Sequence, residues 1–279
     1  MADTTVAVPT GIDTKVPSTA RMYDFWLGGK DHFAVDRVAA LKVSEAVPEV
    51  KMMATENRKF LRRAVRYLAA EAGITQFLDI GTGLPTQGNV HQVAQEVNPD
   101  SRVVYVDNDP MVLTHSRALK TGGNTAVIEA DLRDPAAILN HPRTVELIDF
   151  RQPLAVLLVA VLHFIGEDDD PYAIVGSIYE VLPPGSYLVI SHATDGILSG
   201  DSAGKVAEDY RKNVAQGSTL RNRDEILRFF TEFELVEPGL VQVPCWRSDD
   251  PQSPDTGNVW VLGAIGHKPR LDANVRTQQ

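Results

Sequence analysis

The chain predicts an α/β protein, a doubly wound and mostly parallel sheet preceded by a helical N-terminal extension. Three observations lead there. From Phe77 onward, short apolar runs rich in β-branched residues alternate with helix-like segments. Three of those segments open on the same dipeptide, Asp109-Pro110, Asp134-Pro135 and Asp170-Pro171. The first apolar run also ends in a glycine turn, "LDIGTGLPT", Leu78 to Thr86.

The strands follow in order: "QFLDI" (Gln76–Ile80), "RVVYVDND" (Arg102–Asp109), "NTAVIEAD" (Asn124–Asp131), the run after Pro153, and "SYLVISHA" (Ser186–Ala193). Continuous rather than alternating apolarity marks strands buried on both faces, as in parallel sheets. The aspartate of each Asp-Pro pair is suited to the N-cap and its proline to the first helical turn. Helix "PYAIVGSIYEVL" must stop at Pro183-Pro184-Gly185. A Gly/Ser-punctuated insertion at about 195–220, with a helix near Val206–Gln216, precedes helix "RDEILRFFTEF". Two last strands follow, near Leu235–Val243 and Asn258–Gly266. The domain organisation expected is a flexible tail (1–17), a helical extension (18–75), an α/β domain (76–268) and a second flexible tail (269–279).

Composition narrows the function. The 279 residues carry a net charge of −10, which argues against a nucleic-acid partner. A single cysteine, Cys245, excludes an internal disulfide and a cysteine metal cluster, and fits a cytoplasmic setting. The most apolar window, "PLAVLLVAVLHFI", falls short of the ~20 residues of a membrane span. The start lacks the basic and apolar pattern of a signal peptide. A cytoplasmic protein without membrane attachment is expected, with a homodimer left open.

Ligands of doubly wound sheets bind beyond the carboxyl ends of the strands. Gly81 and Gly83 let the backbone turn tightly and approach a ligand. Asp107 ends the second strand, where a carboxylate can accept both ribose hydroxyl protons. Asp131 ends the third, where an adenine amino group could donate to it. Thr86 replaces the third glycine of a dinucleotide loop, and the long lead before Phe77 is unlike a dinucleotide fold. Both favour S-adenosylmethionine over NAD.

The order "LDIGTG", "YVDNDP", "EADLRD", "PLAVLLVAVLHFI", "LPPGSYLVIS" resembles the Rossmann-like, S-adenosylmethionine-dependent methyltransferases over about residues 77–266. Upstream, Arg21, Tyr23, Asp24, Leu27, Gly28, Gly29, Lys30, Phe33 and Asp36 match the pattern R-x-Y-D-x-x-L-G-G-K-x-x-F-x-x-D. That string is similar to the bacterial S-adenosyl methyltransferase group formerly filed as a domain of unknown function. The resemblance implies seven strands with an antiparallel last strand and S-adenosyl-L-methionine as cofactor, with S-adenosyl-L-homocysteine as product. It also implies a cofactor site of Arg21, Tyr23, Asp24, Gly29, Lys30, Asn57, Arg58, Asp79, Gly81, Thr82, Gly83, Asp107, Asn108, Asp131, Leu132 and Ala160.

The stretch "ARMYDFWLGGKDHFAVDR" (Ala20–Arg37) is read as a lid over the open end of the sheet, its aromatics covering adenine and Arg21 and Lys30 reaching a carboxylate. On helix "ATENRKFLRRAVRYLAAEAG", Asn57 falls on the apolar face with Leu61, Ala64 and Leu68, and Arg58 lies at its edge. Arg62, Arg63 and Arg66 are expected to face solvent. His163, at the fourth strand end, is the candidate general base, with His192 behind it. "EDDD" (Glu167–Asp170) is expected to be a solvated loop, and no metal is expected. The function expected is methyl transfer to a small-molecule acceptor. The alternatives are a non-catalytic S-adenosylmethionine-binding protein and an NAD-dependent oxidoreductase.

Overall fold

The computed structural model describes residues 12–85, 88–118, 123–194, 218–249 and 259–270. Three helices come first, α1 (Thr19–Trp26), α2 (Ala34–Ala46) and α3 (Val50–Ala70). Strands β1 (Gln76–Ile80), β2 (Arg102–Asp107), β3 (Thr125–Glu129), β4 (Ala155–Val159) and β5 (Tyr187–Ala193) then alternate with helices. These are α4 (Val90–Val97), α5 (Pro110–Ala118), α6 (Pro135–Leu139), α7 (Pro142–Leu147) and α8 (Pro171–Val181). A short α9 (Arg223–Leu227) and strands β6 (Glu234–Leu235), β7 (Val241–Gln242) and β8 (Val261–His267) complete the described chain.

The sheet runs β3-β2-β1-β4-β5-β8-β6, with β7 also on β8. The first five strands are parallel, and β8 runs antiparallel to β5. The Leu235–Val243 region is two short pieces because the chain turns away between them at Pro238-Gly239, so the described sheet has eight strands rather than seven. The predicted helix near Val206–Gln216 and most of the insertion lie outside the described residues.

The central strands contribute to two apolar layers. Phe77, Val103, Leu157, Val189 and Ile265 pack on one face with α1 to α4. Leu78, Val104, Val156, Leu188 and Leu262 pack on the other with α6, α7, α8 and Phe229. Burial on both faces is why these runs read as continuously apolar. The Asp-Pro starts act as caps: Asp134 accepts from Ala137 N at 2.9 Å, Asp170 from Ala173 N at 3.1 Å, and Asp109 from Met111 N at 2.8 Å.

Arg63 departs from the expected solvated face. It is buried, donating to the carbonyls of Val243 at 2.6 Å and Trp246 at 2.9 Å. The turn after β7 folds across that side of α3, a contact helical spacing alone cannot reveal. Arg62 and Arg66 do lie at the surface.

The strand order reverses between β1 and β4, where β1 pairs in parallel with β2 on one side and β4 on the other. A crevice therefore opens beyond their carboxyl ends. Chain N-terminal to α1 fills part of it. Residues 12–17, read as part of a loose tail, are seated here: Ile12 packs with Leu84, Met111 and Val112, and the carbonyls of Asp13 and Val16 accept from Arg21.

Candidate functional site

A cavity of about 650 Å³ lies beyond the ends of β1 to β4, within the range of small-ligand sites. Its floor is the glycine turn after β1. Gly81 N donates to Val106 O at 2.8 Å, and Gly83 N to Asp107 Oδ2 at 2.8 Å. Gly81 has φ +74° and Gly83 +66°. A Cβ on Gly81 would sit 2.4 Å from Val161 Cγ2, whereas one on Gly83 would meet nothing within 4 Å. The first glycine is demanded by packing, and the second leaves open space over the turn.

Three acids line this half of the cavity: Asp79 within β1, Asp107 at the end of β2 and Asp131 just past β3. Burial pushes the Asp79 carboxyl up from 3.8 to about 6, against the nearby Arg58 charge and a hydrogen bond from Thr82. Burial also raises Asp107, opposed by the backbone donors of Asp109 and Gly83. Asp131 accepts from Asn108 Nδ2 at 3.1 Å and pairs with Arg133. Asn108 and Leu132 line the cavity with them, and Ala160 lines it past the end of β4.

The N-terminal arm supplies the facing wall. Asp36, fully buried, accepts from Arg21 Nε at 2.9 Å, Ser18 N at 2.9 Å and Phe33 N at 2.7 Å. Ser18 also donates to Asp109, which ties the arm to the end of β2. The carboxylate nearest the Arg21 guanidinium is thus the chain's own Asp36. Tyr23 donates its hydroxyl proton to Ala54 O at 3.0 Å and accepts from Asn57 Nδ2 at 3.0 Å. Arg21, Tyr23 and Asn57 all line the cavity.

Asp24, Gly29 and Lys30 are not on its walls. Asp24 Oδ2 accepts from Asp31 N at 2.9 Å, and a Cβ on Gly29 would lie 1.9 Å from Asp24 Oδ1. The Gly-Gly pair therefore makes room for a turn-stabilising carboxylate, while Lys30 is exposed.

His163 lies in the single turn after β4, buried and lining the cavity. Burial, with Arg221 nearby, pushes it down to about 4, so the ring is neutral at pH 7. His192 is satisfied internally: its Nδ1 donates to Ala193 O at 2.7 Å and its Nε2 accepts from Arg221 at 2.9 Å. In the "EDDD" stretch, Glu167 accepts from Arg221, Asp169 pairs with Arg133, and Asp170 caps α8.

Among the described residues, three buried polar atoms of the cavity-lining side chains have no partner: Asn57 Oδ1, Arg58 Nε and His163 Nδ1. Leaving such atoms unmade costs about 1–3 kcal/mol each, so they point to a ligand. Because Tyr23 spends its proton on Ala54, Asn57 must turn its amide nitrogen to Tyr23 and present an acceptor. Its neighbour Arg58, held by Asn89 Oδ1 at 3.0 Å, presents a donor. An acceptor beside a cationic donor matches the ammonium and carboxylate of an amino acid. The acids and the glycine turn match a nucleoside. Residues of the wall not read from the sequence include Ser18, Asp109, Val50, Met53 and Val261. The Arg21–Asp36 pairing could have been inferred, since both stand in one short motif with opposite charge.

Sheet order, glycine turn, strand-end acids and amino-acid-binding pair together define an α/β protein built for an adenosine cofactor carrying an amino acid. The chain belongs to the S-adenosyl methyltransferase family, whose model matches residues 5–269, and its cofactor is S-adenosylmethionine. A crystal structure from Thermobifida fusca YX, described as a candidate methyltransferase, is 48% identical with TM-score 0.88, covering 95% of this chain and 100% of that one. A DUF574 family protein from Streptomyces avermitilis is 42% identical with TM-score 0.86, covering 92% and 99%. An O-methyltransferase family protein from Burkholderia thailandensis shares the fold at 15% identity and TM-score 0.51, covering 88% and 64%. No curated protein matches. Among the described residues, no helix is long and apolar enough to cross a membrane.

Proposed function

We propose that the protein transfers the methyl group of S-adenosylmethionine to a small-molecule acceptor taken up in the same cavity. One observation carries this reading: one continuous cavity joins the strand-end acids to His163 and is walled on one side by the N-terminal arm. When bound, the cofactor supplies an electrophilic methyl on a positively charged sulfur. The chain's own residues bind and orient it. Asp107 accepts from the ribose hydroxyls, and Asn108, Asp131 and Leu132 border the adenine. Gly81, Thr82 and Gly83 give a close backbone floor, with Asp79 and Ala160 beside them. Asn57 and Arg58 hold the amino-acid end. The arm, through Arg21 and Tyr23, keeps water out, so that alignment supplies most of the rate. The −10 charge and a cavity of about 650 Å³ favour a small acceptor over nucleic acid.

A second reading, a protein that binds the cofactor without turnover, is favoured by the low basicity of His163. Calorimetry with S-adenosylhomocysteine and NADH, and mass spectrometry of S-adenosylmethionine incubated with cell extract, separate these. Binding of S-adenosylhomocysteine with extract-dependent turnover supports methyl transfer, and binding without turnover supports the second reading. Asp107→Ala should weaken S-adenosylhomocysteine at least about a hundredfold, because two hydrogen bonds to a charged acceptor are worth about 1.5–3 kcal/mol each. Unchanged affinity would remove Asp107 from the site.

A further inference from the structure

The two halves of the cavity differ in chemistry, and the sheet order separates them. Strands β3, β2 and β1 end in carboxylates, whereas β4, β5 and β8 meet the cavity with Ala160, His163, Ala193 and Val261. Ala193 and Val261 are direct cross-strand partners, so they form one apolar patch beside the His163 turn. Val50 and Met53 of α3 line the same space, as does Trp26 of α1. The indole nitrogen of Trp26 is already used, donating to Ser44 Oγ at 3.2 Å. His163 lines the cavity together with these apolar side chains, and its buried Nδ1 has no partner among the described residues.

Its orientation is fixed from behind. Arg221, buried, donates to the carbonyls of Leu162 at 3.1 Å and Ile165 at 3.0 Å, which bracket the His163 turn. The His192 ring stands edge-on to His163 at 5.6 Å. The cations on the cavity wall are committed elsewhere: Arg21 to Asp36, Arg133 to Asp131 and Asp169, and Arg58 beside Asp79. A neutral His163 offers no counter-charge. Besides the cofactor's own sulfonium, the nearest cation is Arg221, which is already paired with Glu167, so an anionic acceptor in this half would be only partly compensated for its desolvation.

We propose that the β4–β5–β8 half of the cavity is an acceptor subsite for a neutral, apolar molecule bearing a hydroxyl, held by a hydrogen bond to His163 Nδ1. This rests on the methyl-transfer reading above and specifies its substrate class. Arg221 is a positioning residue for that contact.

The test uses the full chain saturated with S-adenosylhomocysteine, with three probes of one shape titrated by calorimetry: 2-naphthol, naphthalene and 2-naphthoate. The expected order is 2-naphthol about tenfold tighter than naphthalene, as one net hydrogen bond gives, with 2-naphthoate weakest. His163→Leu should erase the 2-naphthol advantage, and His163→Asn, which keeps a polar atom near the place of Nδ1, should retain most of it. Both variants should keep the parent's far-UV circular dichroism and still bind S-adenosylhomocysteine, which reports that each is folded. A preference for 2-naphthoate, absence of binding by all three, or a 2-naphthol advantage that survives leucine would overturn the subsite while leaving the cofactor reading intact. Failure of S-adenosylhomocysteine to bind the unaltered protein would instead remove the methyl-transfer reading, and this subsite with it.

Discussion

Asp36→Ala is the sharpest perturbation of the N-terminal arm. The carboxylate is fully buried and accepts three donors, Arg21 Nε and the backbone N–H groups of Ser18 and Phe33. Arg21 is itself only 3% exposed, so alanine strands a guanidinium away from water. Breaking a buried pair this way costs about 3–5 kcal/mol, and each orphaned N–H adds about 1–3 kcal/mol while it stays buried. The arm need not bear all of this, because swinging away lets the donors find water. The cost is then that of undocking Arg21, Met22 and Trp26 together. The expected loss is about 3–5 kcal/mol by urea denaturation followed by circular dichroism. S-adenosylhomocysteine should bind at least about tenfold more weakly by calorimetry, because the arm carries Arg21 and Tyr23 on the cavity wall. Removing both charges, in Arg21→Met/Asp36→Leu, should recover part of the stability, since no stranded charge remains. An alanine variant within 1 kcal/mol of the parent, with unaltered ligand affinity, would show that the pair does not hold the arm, and the reasoning would fail.

The glycine turn makes a paired prediction. Gly81→Ala places a Cβ against Val161 at φ +74°, adding about 1–2 kcal/mol of backbone strain to about 1–3 kcal/mol of overpacking. Its melting temperature should fall roughly 5–15 °C. Gly83→Ala meets no neighbour, so it should show the strain alone and less than half that drop, and equal drops would contradict the geometry. Asp79→Asn tests burial by pH. A folded carboxyl raised from 3.8 to about 6 binds a proton that the unfolded chain has released, so its contribution is fully present below pH 3.8 and is lost as pH rises through 6. Relative to the parent, the asparagine variant should therefore gain about 2–2.5 kcal/mol between pH 4 and pH 7. A stability difference that stays flat across that range, measured by urea titration, would place Asp79 in a wetter site.

What was legible in the sequence follows from how local each signal is. Strands buried on both faces leave continuous apolar runs, and Gln76–Ile80 could be bounded to the residue because its layers are complete. Asp107 and Asp131, at the ends of β2 and β3, were readable for the same reason: strand ends fall where apolarity stops. Long-range pairing left weaker traces. Asp109 carries the expected signature of a helix cap and does cap α5, yet it also receives Ser18 from far upstream. One carboxylate with two partners looks, in sequence, like a carboxylate with one. Arg63 has the same helical neighbours as its solvated companions, and only the chain returning at Val243–Trp246 turns it inward. The arm motif was conspicuous, but its residues divide by geometry rather than by type. Arg21 and Tyr23 reach the cavity, while Asp24 and Gly29 build the turn that delivers them. A motif of this kind mixes the groups that touch a ligand with those that hold the backbone in place. Separating the two takes a measured clash such as the 1.9 Å between a Gly29 Cβ and Asp24, which no spacing rule contains.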